Sequence, residues 1–550
     1  MKRVFKILVW IVLATILAPF VVMVGLYLSA DMGEPTLTLD AADFPTSHKG
    51  DSLFCGNSYL RHDSCGLWEL YVEGSGQERG ALQGALTKDL MKYQEDVFVN
   101  QIRNIIPSDR YLSLLRGFIV VFNRNLGEYI PLEYREEIAM MSQFCTHEYD
   151  AIGSPYERQL NYHGAHDIGH AMQQYMLVGC SSFGAWGGQT ENGSMIIGRN
   201  FDFYVGDDFA KNKLMTFAVP DSGYRYASIG WAGMVGVLSG MNACGITVTI
   251  NAAKGSMPTS AATPISILTR EILQYASNID EAYAIAASRQ TFVSESILVG
   301  SANDGKTVII EKTPDQTALF STVGDRIICT NHFQSKEFAQ DEDNISNIEN
   351  SDSKYRYDRL TQLLDSNPSL NYVGAIGVLR NRLGLNDSDI GIGNEMTLNQ
   401  SIAHHSVVFL PSEKLMWVST EPWQSGQFVC YDLEGFFSGN SLPCRKISLD
   451  VEADSLFLNR DYPRLVDYRK KLKEIREAVN GEVELSNQFI DDFMAINPFH
   501  YYTYRVLGDY YSEFGLNSKA IDLYKRSLDC AIPYKSERKE IEKLIEKLGK

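Results

Sequence analysis

A cysteine placed directly after a glycine opens the stretch of this chain richest in reactive groups, LVGCSSFGAWGGQTENGSMIIGRNFDF. Cys180 follows Gly179, and Arg199 and Asp202 come next at the end of a short apolar strand pattern. A lone cysteine in a β-rich stretch is ordinarily a small buried hydrophobe. Two charges set inside an apolar strand argue otherwise, because each needs a partner when buried. A thiolate beside Arg199 and an ammonium beside Asp202 would supply them. Asn251 (TVTINAA) and Asn331 (ICTNHF) each end an apolar strand. A side-chain amide at such a place can donate to an oxyanion that develops during acyl transfer. The set describes a thiol nucleophile with donors for a tetrahedral intermediate.

Other candidates carry less chemistry. His166 and His170 are four apart, so a helix would set them on one face with His163 nearby, as in a metal pair. The glutamate of a zinc-hydrolase motif is absent, so no metal is expected. Ser181 and Ser182 lack a Gly-x-Ser-x-Gly elbow. Asn-x-Ser/Thr occurs at Asn192, Asn344, Asn386 and Asn399, which matters only in a glycosylating pathway. The acidic run 340–353 reads most simply as a solvated loop. No cofactor-binding loop is found, and no cofactor is expected.

These groups must be positioned by a chain of 550 residues with a formal net charge of −18, 45% apolar and 21% charged. That composition is globular and excludes collagen-like, wholly disordered and polytopic membrane proteins. The negative balance excludes nucleic acid as the main partner, since phosphate backbones need a basic footprint. Nine cysteines are too few for a disulfide scaffold. Cys55 with Cys65, and Cys430 with Cys444, could each close a short loop, or all could be free thiols.

Lys2, Arg3 and Lys6 precede an uncharged run from Ile7 to Ala30. Its length suits a membrane span of about 20 residues better than the 7–15 of a signal-peptide core. Residues 1–30 are therefore read as a signal anchor or signal peptide, with the rest periplasmic or extracellular and either anchored or secreted. Residues 31–50 read as a tether, and 31–179 as a helical segment with Leu112, Leu115, Ile119 and Phe122 at helical spacing. From Gly179 the pattern turns to short β-rich runs. They are interrupted by one clear helix, with Thr263 as cap, Pro264 first, and Ile265, Leu268, Ile272 and Tyr275 on one face. Strands in blocks and helices in other blocks favour an α+β architecture of layered sheets covered by helices. Residues 180–449 form this block, and 450–550 form a helical tail. Tyr504, Leu507, Gly508, Tyr511, Ala520, Tyr524, Ser527 and Pro533 fall close to tetratricopeptide spacing. One copy cannot form a solenoid, so the tail is expected to pack on the main domain or on a protein partner.

GCSSFGAWG, GRNFD, TNHF and the SDSKYRYDRL run together resemble an N-terminal-nucleophile hydrolase of the acyl-coenzyme A:6-aminopenicillanic acid acyltransferase family. The chain is more distantly similar to choloylglycine hydrolases, penicillin V acylase and acid ceramidase. The resemblance runs from about Glu78 to about Pro422. It implies a four-layer αββα sandwich and self-cleavage between Gly179 and Cys180. The freed thiol of Cys180 would then be the nucleophile and its own α-amine the base. An α-amine titrates near ~7.7–8.0, which suits a general base. Asp202 would hold that amine, Arg199 would favour thiolate, and Asn251 and Asn331 would bind the oxyanion. Arg356, with Arg359 as the alternative, matches the family's late arginine.

The function expected is cleavage or transfer of the acyl group of a linear non-peptide N-acyl amide through an acyl-Cys180 intermediate. Trp186, Phe203, Tyr204, Phe217 and Trp231 suit an apolar acyl pocket. Two other classes compete: an envelope interaction protein that uses its tail, and a papain-type cysteine peptidase with His332 as base.

Overall fold

The computed structural model describes residues 29–105, 108–171, 177–255, 261–442, 444–481 and 483–550, with 21, 22, 25 and 26. Most of the apolar run 7–30 lies outside them. Among the described residues no helix is long and apolar enough to cross a membrane.

The strands are β1 (Ser47–Lys49), β2 (Ser52–Cys55), β3 (Ser58–His62), β4 (Trp68–Gly74), β5 (Leu177–Val178), β6 (Ser181–Gly187) and β7 (Gly193–Tyr204). They continue as β8 (Leu214–Pro220), β9 (Tyr226–Gly230), β10 (Ser239–Asn242), β11 (Ile246–Ala252), β12 (Glu295–Ser301) and β13 (Lys306–Lys312). The last are β14 (Thr317–Phe320), β15 (Arg326–Cys329), β16 (Ala403–Leu410), β17 (Leu415–Ser419), β18 (Phe428–Asp432) and β19 (Cys444–Arg445). One sheet has the order β1-β2-β3-β4-β8-β9-β10-β11-β12-β13-β14. The other runs β15-β6-β7-β16-β17-β18-β19, with β5 also on β7.

Side-chain alternation sorts these strands into layers. Tyr71, Phe217, Leu298 and Ile309 of the first sheet meet Ile197, Val407, Val418 and Tyr431 of the second in one core. Their strand neighbours Leu70, Val72, Ile297 and Val299 face the other way. They pack under the helices Gly76–Ile105, Leu132–Ser142, Pro155–Ala171 and Ile265–Tyr275. On the far side Ile196 and Val408 meet Leu360, Leu364 and Ile376 of the helices Ser353–Asp365 and Tyr372–Leu379. The result is helix, sheet, sheet, helix. Strands buried on both faces favour near-continuous apolar runs, as in TVIIEK. ITVTINA alternates instead and buries Thr247, Thr249 and Asn251 on its second face.

Several expectations need correction. The segment 31–179 is not simply helical. It contributes β1–β4, and β4 pairs in parallel with β8 over Trp68–Gly74. The turn glycines Gly56 (φ 58°) and Gly66 (φ 90°) between short apolar runs carry that signal. The acidic run forms the helix Glu342–Asn350, capped by the Asp341 carboxylate, which accepts from the Asn344 N–H. Pro264 rather than Thr263 caps the helix Ile265–Tyr275. The Thr263 hydroxyl donates to the Tyr129 carbonyl instead. All nine cysteines are free.

The upstream segment is fastened to the rest by buried charge. Arg79 pairs with Glu137 at 2.8 Å, and Arg270 reaches the same carboxylate at 3.2 Å. Gly80 lets the two helices that carry Arg79 and Glu137 approach: a Cβ there would lie 2.2 Å from the Glu137 carbonyl oxygen. Gly80→Ala is therefore expected to destabilise the protein by about 1–3 kcal/mol, despite the better helix propensity of alanine. Denaturant unfolding checks this; an unchanged midpoint would refute the close contact.

The tail folds as the helices Tyr462–Gly481, Asn487–Ile496, Tyr501–Glu513, Asn517–Leu528 and Lys535–Leu548. They share their own core, with Leu507, Tyr511, Ala520 and Tyr524 in it. The tail packs on residues 180–449 of the same chain. Asn497 exchanges two hydrogen bonds with the Ile392 backbone at 3.0 Å, and Arg469 meets Asp207 at 3.1 Å.

Candidate active site

The central hairpin pairs β6 with β7, placing Ser181 opposite Asn200 and Ser182 opposite Arg199. β5 pairs with the end of the same strand, Val178 opposite Phe203. Gly179 and Cys180 fall in the gap between the two pairings, where the Gly179 N–H still donates to the Asp202 carbonyl at 3.1 Å. A Cβ on residue 179 would lie 2.7 Å from Gln400 Nε2, so a larger residue there would displace the Gln400 side chain. Gln400 Nε2 also donates to the Gly179 carbonyl at 3.3 Å.

Arg199 Nη2 stands 3.7 Å from Cys180 Sγ. The guanidinium is itself held by the Leu238 and Ile250 carbonyls and Ser239 Oγ. It lies 4.3 Å over the Phe201 ring. Burial nevertheless pushes the Cys180 thiol up to about 11, and the pull of Arg199 only partly offsets it. Arg199 does favour the thiolate, as the sequence reading has it, but in the continuous chain burial outweighs that pull.

Asp202 is fully buried, and neither of its carboxylate oxygens has a hydrogen-bond partner among the described residues. Burial pushes its carboxyl up to about 8, against the pull of Arg356 and Arg199. Such a group favours its protonated form in the folded chain.

Arg356 ties the remaining residues together. Its Nη1 donates to the Cys180 carbonyl at 2.7 Å and to Ser181 Oγ at 3.0 Å. Its Nη2 donates to Asn331 Oδ1 at 2.7 Å, and Nε pairs with Asp352 at 3.1 Å. Arg359 is turned elsewhere, to Asp387 and Asn381. Of the two arginines named from the sequence, Arg356 and not Arg359 touches the Cys180 backbone.

The two asparagines differ. Asn331 lines a cavity of about 900 Å³, and its Nδ2 donates to the Ala252 carbonyl at 2.8 Å. Asn251 is buried, accepts from Ser182 Oγ at 2.6 Å and donates to the Cys329 carbonyl at 3.1 Å. Its bonds brace β6 against β15 rather than face the cavity.

The histidines are not placed as bases. His332 Nδ1 lies 2.8 Å from Ser353 Oγ, and burial with the nearby Arg356 lowers its pKa to about 4. His163 is buried between the Gln159 carbonyl and the Val235 N–H and is also pushed down to about 4. The side chains of His166 and His170 lie outside the described residues. Among the described residues no group of His, Cys, Asp or Glu could hold a metal ion.

The aromatic residues also divide. Phe203 and Trp231 stack at 6.2 Å and line a narrow apolar pocket of about 40 Å³ with Met91, Phe98 and Phe209. Tyr204 lines the large cavity instead. Phe217 and Trp186 belong to the core between the sheets and do not line a pocket. The sequence reading missed His405, whose Nε2 lies 2.9 Å from Ser239 Oγ and 3.4 Å from Arg199 Nη1. The signal was available: AHHSVVFL places two imidazoles in a fully buried strand. It also missed Asp352 and Gln400.

Comparison with known proteins agrees with the centre of the chain. An uncharacterized protein of Archaeoglobus fulgidus is 26% identical over 262 residues, 45% of this chain and 43% of that protein. Protein dcd1B of Dictyostelium discoideum is 22% identical over 267 residues, 46% of this chain and 51% of its own length. The chain thus spans about half the length of the curated relatives it matches. A Caenorhabditis elegans ortholog of N-acylethanolamine-hydrolyzing acid amidase is similar at 17% identity and a TM-score of 0.31, covering 42% of this chain and 93% of that one. Conjugated bile acid hydrolase of Clostridium perfringens gives 12% and 0.33, with 48% and 96% covered. Penicillin V acylase of Agrobacterium tumefaciens gives 15% and 0.29, with 44% and 83% covered. Residues 189–419, which carry Arg199, Asp202, Asn251, Asn331 and Arg356, match the family described as acyl-coenzyme A:6-aminopenicillanic acid acyl-transferase.

Proposed function

We propose that this chain is an autoprocessed amidohydrolase or acyltransferase that cleaves a linear N-acyl amide through an acyl-Cys180 intermediate. The observation that carries the reading is Asp202, a buried carboxyl with no hydrogen-bond partner among the described residues, beside a buried cysteine and two arginines. Scission of the Gly179–Cys180 bond would create an ammonium group at that place and give Asp202 its counter-ion. The α-amine would then serve as base for the thiol, since an amine titrating near ~8 can hold and release a proton at neutral pH. Asn331 would donate to the oxyanion from the cavity wall, and Arg356 would hold Asn331 and the Cys180 backbone in register. The apolar pocket by Phe203 and Trp231 suits the acyl group. We further propose that the run 7–30 anchors the protein with its catalytic part outside the cytoplasm.

Mass spectrometry of the purified chain tests the reading: two fragments are expected, the second beginning at Cys180. They should co-purify and separate only on denaturation, because β4–β8 pairing and the Arg79–Glu137–Arg270 cluster join them. An intact chain with full amidase activity would overturn it.

Asp202 gives a pH-dependent test in the uncut Cys180→Ala chain. Its carboxyl is raised from an ordinary 3.8 to about 8. Between those values the unfolded chain ionises while the folded chain keeps its proton. The contribution to stability is therefore full below about pH 4 and is lost as pH rises through about 8. Asp202→Asn should flatten that decline in melting temperature. An unchanged slope would show that Asp202 is not the titrating group.

If the α-amine is the base, His332→Gln should leave the acid limb of the kcat/KM profile in place. Loss of that limb would instead favour a Cys–His mechanism.

A further inference from the structure

The large cavity that reaches Asn331 is closed on its other side by the C-terminal helices, which lie beyond the family match. Tyr468, Tyr501, Tyr502 and Tyr534 of those helices face it, along with Glu537. Glu395, in the loop before β16, stands on the same wall. The wall is linked to the catalytic residues: Asp352, the carboxylate that pairs with Arg356, also lines the cavity and acts on Tyr534.

The charges on this wall are unequally satisfied. Arg469 is held by Asp207 and by the Ser401 carbonyl, and Arg476 lies against the Tyr502 ring and hydroxyl. Lys254 reaches Ser346 Oγ at 3.4 Å. Glu537 accepts from the Tyr501 phenol at 2.9 Å, its one hydrogen bond among the described residues, with Arg505 acting on it from farther off. Glu395 Oε2 is buried and has no hydrogen-bond partner among the described residues. An unpaired carboxylate oxygen in a cavity rimmed by tyrosines is the surrounding that an alkylammonium ion satisfies, through ion pairing and attraction to the ring faces.

We infer that the C-terminal helices form the amine-side wall of the catalytic cavity, and that Glu395 and Glu537 receive a cationic amine portion of the substrate. The inference deepens the amide-cleaving reading and rests on it only for the word substrate. Burial holds both carboxyls above their usual range, Glu395 at about 8, as expected of acids awaiting a cation. The narrow apolar pocket and this wide polar one then divide an N-acyl amine between them.

The test is calorimetric titration of the full-length Cys180→Ala chain with three acetamides: N-acetyl-1,5-diaminopentane, the neutral N-acetyl-5-aminopentan-1-ol, and the anionic N-acetyl-6-aminohexanoate. The ammonium compound should bind at least about tenfold tighter than the neutral one. Glu395→Gln and Glu537→Gln should each reduce that ratio. Equal or tighter binding of the neutral or anionic compound, no preference because none binds, or a ratio that survives both substitutions overturns the inference. The wild-type chain is then assayed with the corresponding longer N-acyl amides. Selective ammonium binding with no cleavage of any amide would leave the cavity assignment standing and remove the hydrolase reading.

Discussion

Cys180→Ala is expected to yield a single uncut chain with no turnover, because scission and acyl transfer would use the same sulfur. The loss should be on the order of 10⁶ in kcat, the scale seen when a covalent nucleophile is removed. The fold should survive. Cys180 is buried beside Phe201 and Phe203, and replacing its thiol by hydrogen leaves a small gap costing about 1 kcal/mol. The bonds around it are made by backbone: the Gly179 N–H to Asp202, and the Cys180 carbonyl to Arg356. Gel mobility and mass read the processing, and melting temperature reads the fold. Scission before residue 180 in this variant would mean that a protease acts in trans. Retained turnover would move the nucleophile elsewhere, with Ser181 and Ser182 next to be examined.

The neighbourhood of Cys180 was legible in the sequence because its residues lie at strand ends in apolar runs, where charge and amide groups stand out. Arg199 and Asp202 were singled out by the cost of burying them, and both prove to be fully buried. The division of labour between Asn251 and Asn331 was not legible. Both end apolar strands, and only the tertiary path decides that one braces Ser182 while the other reaches the cavity. The sequence favours Arg356 over Arg359, but that choice stayed open for the same reason. Three residues apart on one helix, they share much the same local pattern, and only one turns toward Cys180. Strands β1–β3 escaped because they are short, and β1 is fully exposed, while β4 pairs in parallel with β8, more than a hundred residues on. The tail was read as helical from its periodicity. That it would close the catalytic cavity depends on packing over hundreds of residues, which no local pattern encodes.

Asn331→Ala separates catalysis from architecture most cleanly. If Asn331 donates to a developing oxyanion, its removal costs about 10²–10³ in kcat, or roughly 2.7–4 kcal/mol of transition-state stabilisation. KM should move far less, because the ground-state carbonyl gains little from that donor. The side chain also has structural duties: Oδ1 accepts from Arg356 and Nδ2 donates to the Ala252 carbonyl. Losing those bonds costs stability, on the order of 1–3 kcal/mol given the charged donor. Arg356 keeps its pairing with Asp352 and its bond to the Cys180 carbonyl, so the nucleophile stays tethered. A purely structural asparagine therefore predicts a lower melting temperature with kcat per folded molecule nearly unchanged. An oxyanion donor predicts both losses, with kcat down by two decades or more. Asn251→Ala is the control within the same fold. Its amide braces Ser182 and the Cys329 carbonyl, so its removal should lower the melting temperature with a smaller effect on kcat. The measurement must be made on mature protein, because the precursor would use the same donor during scission. A destabilised but fully active Asn331→Ala enzyme would remove Asn331 from the chemistry.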